Sequence, residues 1–223
     1  KAWARGRLDR GPRPEGTVSH RYQCIFVHIP KTAGRSIAAA LEVPWGGAAH
    51  RTFRSYRRTP ALREYFSFSV VRNPWDRFVS IYHHVMKAKV HDGQAIRGPS
   101  GSPLPFASWL AYNYDYYKGP FPNRCDYGGY NQSAGAPFWF TPQKNWLVDE
   151  SGQIAVDRVV RFENLEEGVG NIITMLGVGG KAIPWMNRSE RLSAGYRDYY
   201  DERTKDIVAQ LAADDIEAFG YLF

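Results

Sequence analysis

The chain has 223 residues, of which 43% are hydrophobic and 23% charged, and its formal net charge is +7. This length suits one domain with a substantial core, and the composition is that of an ordinary globular protein. Two cysteines are too few for a disulfide framework, and no apolar run approaches the length of a membrane span. The excess of positive charge favours anionic partners, although many basic proteins have none.

Residues 1–20 are rich in Arg, Gly and Pro, and we expect them to form a basic arm or linker. Residues 21–223 are then the folded domain. The arm begins without Met and lacks the hydrophobic segment that a signal peptide needs.

The first predicted strand is the apolar run that starts at Cys24. It ends at Pro30 and is followed by Lys31, Thr32, Ala33, Gly34, Arg35 and Ser36. A helix is predicted from Gly34 to about Glu42, since the alanines there are strong helix formers. A strand, a tight cationic loop and a helix are typical of a phosphate site. The loop is not a Walker A motif, because it has one glycine and its lysine comes first.

A second strand–helix unit begins with the apolar residues 65–72. Asn73 is a favoured helix N-cap and Pro74 a favoured first helical residue, so a helix is predicted from Pro74 to about residue 90. One face of this helix is apolar and belongs in the core. A different face carries Arg77, Ser80 and His84.

The later elements are predicted from weaker patterns. A short helix starts at Phe106 and ends near residue 114, another covers residues 143–148, and a buried strand covers 158–162. Two longer helices cover residues 165–176 and 200–219, the second broken near Asp214.

Three stretches have no clear period: residues 45–65, 91–105 and 115–140. The last is long, aromatic and glycine-rich, which favours a functional loop.

The alternation of strands and helices predicts an α/β fold. We expect a single P-loop-like domain with a parallel sheet and helices on both faces. Ligands of such sheets bind outside the carboxyl ends of the strands. The Pro30–Ser36 loop and Arg72–Pro74 both lie there.

The segments His28–Ser36 and Val71–Tyr82 together resemble the donor-binding motifs of PAPS-dependent sulfotransferases. The resemblance is to the carbohydrate branch, which contains heparan sulfate 2-O-sulfotransferases and bacterial relatives. Residues 161–165 and 198–223 resemble later segments of the family, so the resemblance covers about residues 22–223.

The resemblance implies PAPS as co-substrate, PAP as product and no metal. The partner would be an acceptor with a free hydroxyl, on a sugar or polysaccharide, with no nucleic acid and no membrane span. A cytoplasmic location of the bacterial type is expected, and the Golgi lumen is the alternative if an N-terminal anchor has been removed. The acceptor's identity and the oligomeric state stay open.

The resemblance also implies roles for individual residues. Lys31, Thr32, Ala33, Gly34, Arg35 and Ser36 would bind the 5′-phosphosulfate, and Arg72 and Ser80 the 3′-phosphate. Lys31 would also act at the bridging oxygen, as electrophile or acid.

A base must accept the proton of the attacking hydroxyl, and histidine suits this at neutral pH. The resemblance to the 2-O enzymes favours His50. His28, Glu64 and Glu163 are alternatives, and His28 fits a buried imidazole that supports the loop equally well.

Contacts to the acceptor are expected from the later loops. The candidates are Gln143, Lys144, Trp139, Tyr130 and Trp109, although ordinary packing explains each aromatic residue more simply. Specificity would reside in residues 91–142 and 181–195.

Two other functions were compared with sulfuryl transfer. A nucleotide kinase with a degenerate P-loop would need a Walker A motif and a magnesium-binding carboxylate after a strand, and neither is evident. A nucleic-acid-binding module could use the arm and the aromatic residues, but no nucleic-acid fold signature supports it.

Overall fold

A computed structural model of the chain describes residues 16–43, 50–87, 104–116, 137–178 and 195–223. Several sequence predictions lie outside these ranges. They concern most of the arm, Tyr130 and the greater part of the loops at 91–142 and 181–195.

In the described part of the chain, four strands form one sheet with the spatial order β1-β2-β3-β4. Their bounds are β1 Val18–Ser19, β2 Cys24–Val27, β3 Phe66–Val71 and β4 Arg158–Arg161. β2, β3 and β4 run parallel, with Val27 opposite Ser69 and Val71 opposite Arg161. The predicted α/β fold with a mainly parallel sheet is confirmed.

β1 is antiparallel to β2, and it lies inside the segment assigned to the arm. Val18 pairs with Ile25, and Ser19 with Cys24. The sheet therefore begins before residue 21. A two-residue strand carries no pattern that a sequence could reveal.

The helices surround the sheet. Their bounds are α1 Gly34–Ala40, α2 Phe53–Arg57, α3 Pro74–Lys87, α4 Phe106–Tyr116, α5 Pro137–Phe140, α6 Lys144–Leu147, α7 Leu165–Met175, α8 Glu202–Leu211 and α9 Ala213–Phe219. The predicted closing helix is broken, as expected, although the break lies at Ala212. α2 was not predicted, because three of its positions are Arg or Ser and no apolar period is visible.

The hydrophobic core lies on both faces of the sheet, because side chains alternate along β2. Cys24 and Phe26 pack with α1 and α7 on one face, whereas Ile25 and Val27 pack with α3, α4 and α8 on the other. All four side chains are buried. Covering both faces leaves the strand ends as the accessible edge, where the β2–α1 loop and the β3–α3 turn emerge.

Within the described ranges, no helix has both the length and the apolar character needed to cross a membrane.

Candidate active site

The β2–α1 loop, residues 28–33, has an unusual backbone. Lys31 and Ala33 have φ angles of 72° and 68°, in the left-handed region that residues other than glycine rarely adopt. Left-handed residues in a tight turn direct backbone N–H groups to one side, which is how concave anion sites form. These two angles make the loop a candidate for an anion site.

The residue after this loop, Gly34, must lack a side chain because the His28 ring lies directly against it. A Cβ atom on Gly34 would lie 1.8 Å from Nε2 of His28, far inside van der Waals contact. The glycine is thus required by a close approach rather than by its backbone angles. The buried His28 ring also stacks on Phe26, with ring centroids 5.4 Å apart.

Lys31 is partly buried, and its ammonium forms no ion pair with any described residue. Burial lowers the pKa of Lys31 to about 8, and the positive charge of Arg72 adds to the shift. A lysine held without a carboxylate partner at a cationic strand end favours an anionic ligand.

His50 lies against His28. Its Nδ1 is 3.1 Å from the His28 carbonyl oxygen, and the two imidazole rings are 4.1 Å apart between centroids. A carbonyl only accepts, so Nδ1 of His50 carries the proton and Nε2 carries the lone pair.

Burial lowers the pKa of His50 to about 4. The charges of Arg77 and Lys31 lower it further, and the hydrogen bond to His28 opposes the shift. The imidazole is therefore neutral at neutral pH, which is the protonation state of a general base.

Arg72 joins the two strand ends. Its Nε donates to the Asp76 carboxylate at 2.7 Å, and an Nη donates to the Lys31 carbonyl at 3.1 Å. The guanidinium carbon lies 4.2 Å from the centre of the Phe162 ring. The side chain is 5% exposed, so these contacts fix its direction at the edge of the site.

The other predicted binding residues differ in their surroundings. Ser80 is 4% exposed, and its hydroxyl makes no hydrogen bond to any described residue. Thr32 is fully buried, and its hydroxyl donates to the Ile29 carbonyl at 2.9 Å. Ser36 is buried in the first turn of α1, whereas Arg35 is exposed. Of the two donors of Thr32, the backbone N–H is therefore the one that can meet a ligand, since the hydroxyl donates within the loop.

Two carboxylates are alternatives to His50 as the base that accepts the hydroxyl proton. Glu64 is exposed and precedes β3, at the end of the strand opposite to His50. Glu163 accepts from the Asn73 N–H at 2.7 Å and from the Tyr221 hydroxyl at 3.1 Å. Glu163 therefore supports the β3–α3 turn.

Gln143 also supports the end of β3. Its side-chain amide exchanges two hydrogen bonds of 2.8 Å with the backbone of Arg72. The same side chain reaches the buried Asp215 carboxylate at 3.3 Å. Gln143 was predicted to meet the acceptor, and these contacts give it a supporting position instead.

His84 lies beside the candidate site, although the sequence analysis assigned it no role. Its ring lies 5.1 Å from the ring of Trp139, and both side chains are partly exposed. Burial lowers the pKa of His84 to about 4, and Lys31 and His50 add to the shift. The sequence signal for His84 is that it lies on the same helix face as Ser80.

Trp109, which was proposed to contact the acceptor, is instead buried in the core.

Within the described ranges, no group of three or more His, Cys, Asp or Glu side chains is arranged to hold a metal ion.

A sequence model described as "Sulfotransferase family" matches residues 14–222. The match covers almost the whole chain, including every strand and helix described above. No curated protein and no solved structure matches the chain. The comparison favours sulfuryl transfer over the kinase and nucleic-acid alternatives.

Proposed function

Since the chain belongs to the sulfotransferase family and is a PAPS-dependent enzyme, we propose that it transfers the sulfuryl group to a carbohydrate hydroxyl by in-line displacement. We assign the donor to the carboxyl ends of β2 and β3, and the proton transfer to His50.

In this proposal the 5′-phosphosulfate binds to the β2–α1 loop. Lys31 supplies a charge that no described carboxylate compensates, and the backbone N–H groups from Thr32 to Arg35 supply hydrogen bonds. Arg35 is exposed beside them and adds a second charge. Two left-handed residues in the loop support this assignment, because they shape its N–H groups into a cradle.

The 3′-phosphate is assigned to Arg72 and Ser80. Arg72 is oriented by Asp76 and by the Lys31 carbonyl, and a guanidinium suits the planar geometry of phosphate oxygens. The Ser80 hydroxyl makes no hydrogen bond within the described chain, so it has a proton to donate. Parallel pairing of β2 with β3 supports a site in which two anionic groups bind side by side.

His50 is the proposed base. Its Nε2 takes the proton of the acceptor hydroxyl while the hydroxyl oxygen forms its bond to sulfur. The bond from sulfur to the bridging oxygen breaks, and Lys31 stabilises the negative charge that develops on that oxygen as PAP leaves. Bound phosphates offset the charge of Lys31, which raises the pKa of His50 toward a more effective range for a base.

One observation carries this proposal. His50 donates to the carbonyl of His28, which lies three residues before Lys31 in the same loop. The two groups that the reaction needs, a neutral imidazole and a cation with a lowered pKa, therefore belong to one small structural unit.

The carbohydrate acceptor is supported by the resemblance to carbohydrate sulfotransferases and by the partly exposed pair Trp139 and His84. An aromatic face beside a neutral imidazole suits a sugar ring with its hydroxyl groups.

The test uses ligand-dependent thermal stability. PAP alone is expected to raise the melting temperature, because a ligand that binds only the folded state stabilises it. ATP with magnesium, and a single-stranded oligonucleotide, are the controls for the two alternatives. Stabilisation by ATP with magnesium and not by PAP would refute the donor site. A screen of sugars with labelled PAPS then identifies the acceptor.

A further inference from the structure

Arg77, on α3, is one of the most buried charged side chains of the described protein. It is 1% exposed, and each of its three guanidinium nitrogens donates to a different backbone carbonyl. Nε donates to Pro30 at 3.1 Å, one Nη to Thr141 at 3.3 Å and the other to Trp139 at 3.2 Å.

These carbonyls belong to two segments that are far apart in the sequence. Pro30 precedes Lys31 in the β2–α1 loop, whereas Trp139 and Thr141 lie at the end of α5. Trp139 carries the ring that lies 5.1 Å from His84, and we assign this second segment to the acceptor. Arg77 thus connects the donor side of the site with the side assigned to the acceptor.

The second segment is also tied to the β3 end. The side-chain amide of Gln143 bonds both the backbone N–H and the carbonyl of Arg72. The Asp215 carboxylate accepts from the Lys144 N–H at 2.8 Å. Asp215 is buried, and burial raises the pKa of its carboxyl, although hydrogen bonds from Gln143 and the charge of Arg77 oppose the shift. These hydrogen bonds therefore fix the position of residues 139–144 relative to the ends of β2 and β3.

We propose that Arg77 is a positioning residue that fixes the β2–α1 loop and residues 139–144 relative to each other, so that donor and acceptor meet in line. This inference rests on the proposed function of the site. Arg77 itself is not assigned to the ligand, because the side chain is 1% exposed and each of its three nitrogens is directed at a backbone carbonyl.

The residue type matters to this role. A guanidinium is planar and carries five N–H donors in a fixed arrangement, so one side chain can bridge carbonyls that lie in different directions. A lysine keeps the charge but donates from a single atom. Arg77→Lys therefore removes the bridge while it preserves the electrostatics felt by His50, Lys31 and Asp215.

The experiment compares Arg77→Lys with Arg57→Lys. Arg57 is a matched control, because it also donates to backbone carbonyls, those of Leu62, Arg63 and Tyr65, but before the amino end of β3. Amide hydrogen exchange is measured on both ligand-free variants and on the original protein, and PAP affinity is measured by calorimetry.

For Arg77→Lys we expect faster exchange at both residues 28–36 and residues 139–144, and PAP binding weakened by about 10-fold or more, because small displacements of binding groups are costly. For Arg57→Lys we expect neither change, even where it lowers the melting temperature. Arg77→Lys with unchanged exchange in either segment would overturn the inference.

A second measurement covers the case in which Arg77→Lys does not fold. In the original protein, PAP is expected to slow exchange at residues 139–144 as well as at the loop that it contacts. Protection of the loop alone would contradict the coupling. If PAP does not bind the original protein at all, the proposed function fails. The inference is then decided without PAP. A folded Arg77→Lys variant decides it by its ligand-free exchange at the two segments. If that variant does not fold, the inference is overturned where residues 28–36 and 139–144 exchange independently of each other in the original protein.

Discussion

The Nε atom of Arg72 lies 2.7 Å from the Asp76 carboxylate, one helical turn further along α3, and both side chains are buried. Asp76 is in the first turn of α3, where the helix dipole favours a carboxylate. The acid thus holds the guanidinium in the direction in which we propose that it meets the 3′-phosphate.

Asp76→Ala is therefore expected to weaken PAP binding by about 10-fold, since a hydrogen bond to a charged group contributes about 1.5–3 kcal/mol. Asp76→Asn keeps an acceptor oxygen and is expected to have a smaller effect. Asp214→Ala, an exposed acid in the first turn of α9, is the control. Calorimetry measures the affinities, and tighter binding by Asp76→Ala would show that the acid competes with phosphate instead.

Lys31→Ala is expected to reduce kcat by about 10²- to 10³-fold, the usual cost of losing a group that stabilises transition-state charge. The pKa of Lys31 is about 8, so the ammonium is lost as the pH rises through that value. The kcat/KM for PAPS should therefore fall above about pH 8 in the original protein. Lys31→Arg should lack that fall, because arginine stays charged; a fall that persists would assign it to another group.

His50→Ala is expected to lower kcat by about 10²- to 10⁴-fold, the range for loss of a general base, while PAP affinity changes little. The base must be unprotonated, and its pKa in the free enzyme is about 4. The acidic limb of kcat/KM should thus appear only near pH 4 and vanish in the variant. Normal turnover with an unchanged pH profile would exclude His50 as the base.

The buried histidines should make the protein less stable in mild acid. The pKa values of His50 and His84 are about 4, below their ordinary value of 6.5. Between these values the unfolded chain binds more protons than the folded protein, so stability decreases as the pH falls from 6.5 to 4. His84→Gln should reduce the slope of melting temperature against pH in this window; an unchanged slope would contradict the lowered pKa.

Gly34→Ala is expected to destabilise the protein by about 1–3 kcal/mol, because its Cβ would overlap the His28 ring. Adding His28→Ala should recover part of this loss, since it removes the overlapping atoms. Gly170→Ala is the control: nothing lies within 4 Å of its Cβ, so a gain of about 0.5–1 kcal/mol is expected from helix propensity. Chemical denaturation measures the stability of these three variants and of the original protein.

Much of the fold could be predicted from the chain. The apolar runs of β2 and β3 and the Asn73–Pro74 start of α3 are local signals, and they predict where two strand ends meet. β1 and α2 were missed because they are too short to show a period.

The site was predictable only in outline. The spacing from Arg77 to His84 reveals a shared helix face, but the carbonyls that Arg77 binds come from distant parts of the chain. The Thr32 hydroxyl has a nearby acceptor, the Ile29 carbonyl, but that contact depends on how the loop turns. Side-chain direction follows from tertiary packing, which a local pattern does not contain.

The left-handed residues Lys31 and Ala33 have a consequence for protein engineering. Neither is glycine, so the loop does not favour its shape by itself, and Arg72 and Arg77 secure it through two consecutive carbonyls. A peptide of residues 24–41, or the same segment grafted onto another scaffold, is expected to relax and to lose the phosphate binding that we propose for it. The transplantable unit is the two strand–helix pairs together.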